Sequence, residues 1–213
     1  MGGAAVILAL VLFSFLPAAL AVLWFRHRKL AMPPHFVLLF LAGGVASLIL
    51  ALLVQSALPH PESFGRWTVL SDLFLRISLI EEGARLVVLL GLFGLVGRFS
   101  QRIVVYEGFA AGAGLLAGFA FAAVENAVYA AADPALALLR MVSAVPLHGA
   151  CGIRCGLAAS CLSSKPHRAL GRFVSALVLH SFYNFMLPLG GIRAALGILL
   201  AVAALVSSSR SIR

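Results

Sequence analysis

Two adjacent glutamates and an arginine lie inside a long apolar stretch, Ser78 to Leu90, with the sequence SLIEEGARLVVLL. A charge at the centre of a membrane-spanning helix costs about 2.5–3.5 kcal/mol even on the lenient insertion scale, so three charges in two turns indicate a function. On a helix, Glu81 and Arg85 are one turn apart on one face, and Glu82 can also reach Arg85. Arg85 can therefore neutralise one carboxylate, and we expect the other to have a partner in another segment.

Acids, histidines and amides recur in three later apolar segments. Glu125 and Asn126 lie in GFAFAAVENAVY, His148 lies in VPLHGACG, and His180 and Asn184 share one face of LVLHSFYNFM. With a rise of about 1.5 Å per residue, these groups and the glutamate pair fall at overlapping depths in the middle to outer part of a bilayer. We predict that they converge on one site.

This set of side chains is suited to peptide hydrolysis, which needs an activated water, a group that polarises the scissile carbonyl and a proton donor for the leaving amine. Two close carboxylates in apolar surroundings cannot both ionise easily, so Glu81 and Glu125 suit acid/base work. The histidines could donate hydrogen bonds to an oxyanion, with Asn184 adding a donor or fixing a ring. The same glutamates and histidines could instead bind a divalent metal such as zinc. The HExxH motif is absent, and the spacing leaves both schemes open.

The composition is that of an integral membrane protein. Of the 213 residues, 62% are hydrophobic and 11% are charged, so a soluble domain could not cover its core with polar surface. The net charge of +9 comes mainly from basic residues in short loops between apolar runs, where they set membrane orientation. We therefore predict the lipid bilayer as a partner and no nucleic acid, because nucleic-acid binding needs a basic domain face.

The apolar runs predict an all-α polytopic bundle of about seven transmembrane helices, forming one domain over residues 1–213 with its site in residues 78–187. The segments run from about Ala4 to Phe25, His35 to Ala57, Val69 to Val96, Ile103 to Ala130, Ala137 to Leu162, Phe173 to Leu187 and Ile192 to Val206. The last two are short, and we expect a tight hairpin or a partly re-entrant pair. The first lacks a basic n-region, so we interpret it as a retained anchor.

The loops predict the orientation of the chain. Basic residues follow the first, third, fifth and seventh segments, whereas the opposite loops hold Glu62, Asp72 and Asp133 with only Arg66 and Arg193. By the positive-inside rule, the amino terminus lies outside and the carboxyl terminus lies in the cytoplasm.

Each polar group also has a structural interpretation. Glu82 and Arg85 could form only a structural ion pair, and Glu125 and Asn126 could only tie helices together. Two histidines at similar depth facing unpaired glutamates favour a function instead.

Other features favour helix packing. Arg140 and Arg154 also lie in the fifth segment, where their simplest interpretation is snorkelling, although Arg154 could counter a glutamate. Three pairs of small residues permit close helix contact, namely Gly108 with Gly112, Gly114 with Gly118 and Gly152 with Gly156.

Four short motifs carry a resemblance to a known family. Glu81 to Arg85 resembles EExxK/R, Phe121 to Glu125 with Asn126 resembles FxxxEN, His148 resembles an isolated membrane histidine, and His180 to Asn184 resembles HxxxD/N. They occur in the order found in the PrsW family of intramembrane proteases. That family is more distantly similar to the CAAX prenyl proteases and to the ABI bacterial membrane proteases.

The resemblance implies a multi-pass protease of the bacterial inner membrane that makes the first cut in a single-span anti-sigma factor, close to the outer face. It implies that Glu81 activates water, with Glu82 beside it and Arg85 as charge partner. His180 and Asn184 match the pair that polarises the carbonyl.

The resemblance implies less specific roles for the remaining motif residues. Glu125 takes the position where the CAAX enzymes have a histidine, and His148 could serve either water activation or metal binding. Phe121 and Asn126 would support the site. An amide is a poorer metal ligand than a carboxylate, which weakens the case for a metal at Asn184, and the cofactor stays open with zinc as a candidate.

We predict an intramembrane endopeptidase that acts on a membrane-anchored protein. A proton- or ion-coupled transporter is the alternative, because intramembrane acids and histidines also form relays. However, the sequence has no inverted repeat and no matching pair of broken helices. A non-catalytic scaffold of the same fold is a third possibility.

Overall fold

The computed structural model describes residues 5, 9, 10, 12–28, 30, 32–58, 72–99 and 106–212, and all regular structure within them is helical. The α-helices are α1 (Leu16–His27), α2 (Pro34–Ala57), α3 (Ile80–Phe99), α4 (Glu107–Ala132), α5 (Pro134–Cys161), α6 (Pro166–Met186) and α7 (Gly191–Ser209). A π-helical segment, Asp72–Leu79, leads directly into α3, and a 3-10 turn, Leu187–Leu189, follows α6.

Four of these helices, α2, α4, α5 and α7, are long and apolar enough to cross a membrane. Helix α3 contains Glu81, Glu82 and Arg85, which lower its apolar character although they are buried. A shorter apolar helix covers Leu12–His27. The predicted all-helical membrane architecture is confirmed, whereas the count of seven spans and the orientation stay predictions.

Several sequence predictions fall on parts of the chain outside the described residues. They include residues 4, 6–8 and 11 of the predicted first segment, residues 69–71 of the third and residues 103–105 of the fourth. They also include some of the charged residues used for orientation, namely Lys29, Glu62, Arg66 and Arg102.

The sixth segment is longer than its apolar run suggests. Helix α6 begins at Pro166 rather than near Phe173, and it includes Arg168 and Arg172, which the sequence placed in a loop. Proline suits the first helical position because its missing N–H needs no partner there. Gly190 and Gly191 adopt positive φ angles of 67° and 52° between α6 and α7, so a tight connection joins the last two helices.

Helix α4 lies at the centre of the bundle, and every residue from Gly108 to Ala123 is buried. Its glycines permit a close approach to α5: a Cβ atom on Gly114 would lie 2.1 Å from the carbonyl oxygen of Gly152, and one on Gly118 would lie 2.1 Å from that of His148. The predicted close packing through small residues is therefore confirmed for α4 and α5. These two helices carry Glu125 and His148, so their contact brings these side chains together.

A cluster of phenylalanines joins α2, α3 and α4. Phe40 packs edge-on against both Phe93 and Phe109, with ring centroids 5.7 Å apart in each pair, and Phe36 packs edge-on against Phe109 at 6.1 Å. Such pairs contribute about 0.5–1.5 kcal/mol beyond their buried area. The cluster fixes α3 against α4.

Candidate active site

The glutamate pair lies at the start of α3, directly after the π-helical segment. Glu82 and Arg85 are completely buried, and Glu81 is only 8% exposed. π-helical turns are rare and are frequently found at functional sites. Glu81 and Glu82 lie in the first turn of α3, two and three residues after Leu79, where this irregular segment ends.

Glu82 is bonded at both carboxylate oxygens. Arg85 donates from Nη1 to Oε2, and His180 Nδ1 donates to Oε1 over 2.7 Å. The prediction that Arg85 neutralises one of the two glutamates is confirmed, and the neutralised one is Glu82. The hydrogen bond to Nδ1 also leaves Nε2 of His180 available as a ligand or as a second donor.

Glu81 differs from its neighbour because its Oε2 atom is buried and has no hydrogen-bond partner among the described residues. This atom lies 3.8 Å from His180 Nε2. The separation is longer than a hydrogen bond, so both atoms could bind one water molecule or one metal ion. Glu81 therefore has the surroundings expected of a reacting group.

His148 lies between Glu125 and Arg85. Its Nε2 atom is 2.8 Å from Glu125 Oε2, and its Nδ1 atom is 3.3 Å from Arg85 Nη2. A guanidinium can only donate hydrogen bonds, so Nδ1 accepts and Nε2 carries the proton that it donates to Glu125. The His148 ring is perpendicular to that of His180, with ring centroids 5.2 Å apart.

The predicted supporting residues have different surroundings. Phe121 packs under the site, with its ring 4.5 Å from the Arg85 guanidinium carbon and 4.9 Å from the His148 ring. Asn184 lines the cavity described below and has no hydrogen bond within the described residues, so Glu82 and not Asn184 holds His180. Asn126 lies apart from the site's acids and histidines and donates to Ser14 Oγ over 2.9 Å.

Sequence reasoning missed Arg140, which does not snorkel. It is buried, its Nη2 atom lies 2.6 Å from Glu125 Oε2, and its guanidinium carbon lies 4.0 Å from the Tyr129 ring centroid. The spacing of Arg140, Ala144 and His148 was the available signal, because residues four and eight apart share one helix face.

The suggestion that Arg154 counters a glutamate is wrong. Its Nη1 atom donates to the carbonyl oxygen of Ala150 and to Ser208 Oγ on α7. Arg154 therefore joins α5 to α7 outside the site.

A cavity of about 440 Å³ opens onto these groups. Its apolar lining includes Leu48, Leu52 and Val128. Its polar lining includes Gln55, Glu81, Glu125, Tyr129, Arg140, His148, His180, Tyr183 and Asn184. A largely apolar cavity with a few convergent polar groups is the usual form of a binding or active site. Four of the five predicted catalytic residues line this cavity, and the fifth, Glu82, lies behind His180.

The residues of this site also fit a metal ion. Glu81, His148 and His180 each offer a ligand atom, and these atoms lie within 4.8 Å of one another. One carboxylate and two imidazoles form a donor set that suits zinc, and the carboxylate behind His180 matches the usual support of a metal-binding histidine. His148 has a hydrogen-bonding neighbour at each nitrogen, so it can join a metal only by exchanging one of them.

The model of the PrsW family of intramembrane metalloproteases matches residues 32–208 of the 213-residue chain. The chain belongs to the PrsW family. The match includes every residue of the site just described. The comparisons with curated proteins and with solved structures give no match.

Membership of the PrsW family supports a multi-pass membrane protease with a membrane protein as substrate. The family description as metalloproteases agrees with the buried group of Glu81, His148 and His180. The length and apolar composition of α2, α4, α5 and α7 agree with such an enzyme.

Proposed function

We propose that this PrsW-family member hydrolyses a peptide bond of a membrane-anchored protein, with Glu81 as the carboxylate that activates water. The observation that supports this proposal is the buried Oε2 atom of Glu81, which has no partner among the described residues and lies 3.8 Å from His180 Nε2 at the wall of the cavity. A carboxylate without a hydrogen bond is free to accept a proton from water.

In the metal-free scheme, Glu81 accepts a proton from water while the water oxygen attacks the scissile carbonyl carbon. A protonated His180 and the Asn184 amide donate hydrogen bonds to the developing oxyanion. Glu81 then passes the proton to the leaving nitrogen as the C–N bond breaks. The products are a new carboxyl terminus and a new amine.

The other residues of the site hold these groups in position. Glu82 fixes the ring of His180, and Arg85 with Phe121 fixes the ring of His148. Glu125 accepts the hydrogen bond from His148 Nε2. A metal ion held by Glu81, His148 and His180 would polarise the carbonyl and activate water as a Lewis acid.

The substrate that we propose is a single-span anti-sigma factor in the bacterial inner membrane, cut first by this enzyme near the outer face. The motif resemblance and the family match support this assignment. The apolar side of the cavity, which includes Leu48, Leu52 and Val128, suits a peptide segment that is itself apolar.

The proposal is tested with purified protein in liposomes and a set of candidate single-span substrates. We expect the wild type to cleave one of them and Glu81→Gln to lose at least about 100-fold in rate, because general acid/base groups contribute about 10²–10⁴-fold. Since Glu81 Oε2 has no partner, the variant should insert and fold as the wild type does. Glu107→Gln is the matched control, because Glu107 lies at the start of α4 and pairs with Arg172.

The same assay separates the two schemes. Cleavage that stops on chelation and returns with zinc would assign Glu81, His148 and His180 as ligands. A cleavage rate that the chelator leaves unchanged, but that is lost in Glu81→Gln, would support the metal-free scheme. Cleavage by Glu81→Gln at the wild-type rate would contradict the proposal.

A further inference from the structure

Arg140 has hydrogen-bonding capacity that the proposed mechanism does not use. A guanidinium carries five N–H groups, and Arg140 uses Nη2 on Glu125 Oε2. Its Nε atom is buried and has no acceptor among the described residues. The side chain is 10% exposed and lines the cavity.

Two contacts fix the orientation of the Arg140 guanidinium. Glu125 holds Nη2 at 2.6 Å, and the Tyr129 ring lies 4.0 Å from the guanidinium carbon. An arginine held in this way loses little rotational freedom when it forms a further hydrogen bond. Arg140 is therefore a preorganised hydrogen-bond donor for a ligand in the cavity.

A peptide substrate in this cavity has acceptors that need such a donor. A transmembrane helix satisfies its own carbonyl groups, but the scissile region must unwind before it can react, and unwound carbonyl groups in apolar surroundings lack partners. The side chains of Leu48, Leu52 and Val128 in the cavity wall carry no donor. Gln55, beside them, already donates from Nε2 to the carbonyl oxygen of Arg76 over 3.3 Å. Among the described residues that line this cavity, Arg140 is the one Arg or Lys side chain, and His180 and Asn184 are assigned to the oxyanion.

The charges of the pair indicate which acceptor fits. Arg140 and Glu125 together are neutral, so a second carboxylate would be repelled by Glu125 while a neutral carbonyl oxygen would not. Glu125 also bonds His148, whose ring lies beside that of His180. The carbonyl bound by Arg140 therefore belongs to a residue close to the scissile bond.

We propose that Arg140 is a substrate-positioning residue that donates a hydrogen bond to a backbone carbonyl oxygen of the unwound substrate while it remains paired with Glu125. This inference rests on the proposed function. It assigns to α5 a second contribution to the active site, besides His148.

The experiment measures kcat and KM in liposomes for the wild type, Arg140→Lys and the control Arg154→Lys. Lysine keeps the charge beside Glu125 but lacks the planar guanidinium. We expect Arg140→Lys to raise KM about 10-fold, the effect of one hydrogen bond to a charged donor, with kcat changed less than about 2-fold. Arg154 lies on the same helix outside the cavity lining, so Arg154→Lys should keep the wild-type KM.

A second measurement identifies the carbonyl group. Single amide-to-ester replacements across the cleaved region weaken one carbonyl acceptor at a time. At one position the wild type should lose about 3–10-fold in kcat/KM, and Arg140→Lys should lose nothing further there, which is the coupling expected of direct partners. Tyr129→Leu, which removes the ring beside the guanidinium, should show a smaller KM increase and weaker coupling at the same position.

The outcomes distinguish this inference from the proposed function. A lower kcat with unchanged KM and no ester coupling would mean that Arg140 serves only to hold Glu125, and would overturn the inference. If Arg140→Lys does not fold, an unchanged KM and full ester sensitivity in Tyr129→Leu would overturn it equally. A wild type that cleaves no substrate would remove the proposed function and the inference together.

Discussion

His180 donates a hydrogen bond from Nδ1 to Oε1 of Glu82 over 2.7 Å. Because Arg85 occupies the other oxygen of Glu82, this carboxylate has little capacity left for reaction. Its neighbour Glu81 has a buried oxygen with no partner among the described residues. Two adjacent glutamates of one motif thus have separate tasks, one holding the histidine and the other facing the cavity.

Glu82→Gln should destabilise the fold. The substitution removes the charge that compensates the buried Arg85, and breaking a buried ion pair by removing one partner costs about 3–5 kcal/mol. Thermal unfolding in detergent, followed by circular dichroism, should show a clearly lower midpoint than the wild type.

The control for this experiment is Glu107→Gln. Glu107 pairs with Arg172, but its side chain is 69% exposed, so the pair contributes at most about 1 kcal/mol. Equal midpoints for the two glutamine variants would contradict the view that Glu82 compensates a buried charge.

Zinc binding should depend on His180 and Glu81. After chelation and dialysis against zinc, we expect the wild type to retain zinc. His180→Ala and Glu81→Gln should lose it or bind it at least about 10-fold more weakly, because each removes a ligand of the buried group. Elemental analysis and equilibrium dialysis measure this without any assay of cleavage.

His167→Ala is the matched control on the same helix as His180. His167 is exposed in the first turn of α6, so its removal should leave zinc binding unchanged. Equal zinc retention in all three variants and the wild type would place the metal elsewhere.

The His148 ring should carry its proton on Nε2. Arg85 donates toward Nδ1, which must therefore accept, and Nε2 donates to Glu125. Nitrogen-15 NMR of histidine-labelled protein in detergent, assigned with His148→Asn, should show an unprotonated Nδ1 before metal is added. A protonated Nδ1 would show that the contact with Arg85 does not persist in solution.

Gly118→Ala should destabilise the contact between α4 and α5. A Cβ atom there would lie 2.1 Å from the carbonyl oxygen of His148, which is backbone and cannot move independently, so we expect a loss of about 3 kcal/mol, the upper end of the usual cost of overpacking. Gly91→Ala is the control, since nothing lies within 4 Å of its new Cβ and alanine favours a helix by up to about 1 kcal/mol. Thermal unfolding of the two variants should change in opposite directions.

The sequence predicted the helical membrane architecture and the convergence of most site residues, for definite physical reasons. Charged and polar residues are costly in long apolar segments, so Glu81, Glu125, His148 and His180 could be identified from their surroundings. Their depths followed from helix rise, and the structure brings all four to one cavity.

The rest depended on contacts between helices that sequence spacing does not specify. By spacing alone, Glu81 and Glu82 could each pair with Arg85. Packing against α6 brings His180 to Glu82, and the Glu82 carboxylate accepts hydrogen bonds from both Arg85 and His180. Arg140 was misread because a long cationic side chain can turn toward either the membrane surface or the interior. Asn126 adjoins Glu125 but turns to Ser14, which the motif alone does not indicate.

The near-complete burial of α4 also has a consequence for how the protein is made. Protein surrounds α4 from Gly108 to Ala123, and its small residues fit against the neighbouring helices. During synthesis, however, α4 precedes α5, the helix against which its glycines pack most closely. Glu125 is therefore translated before Arg140 and His148, the two residues of α5 that pair with its carboxylate.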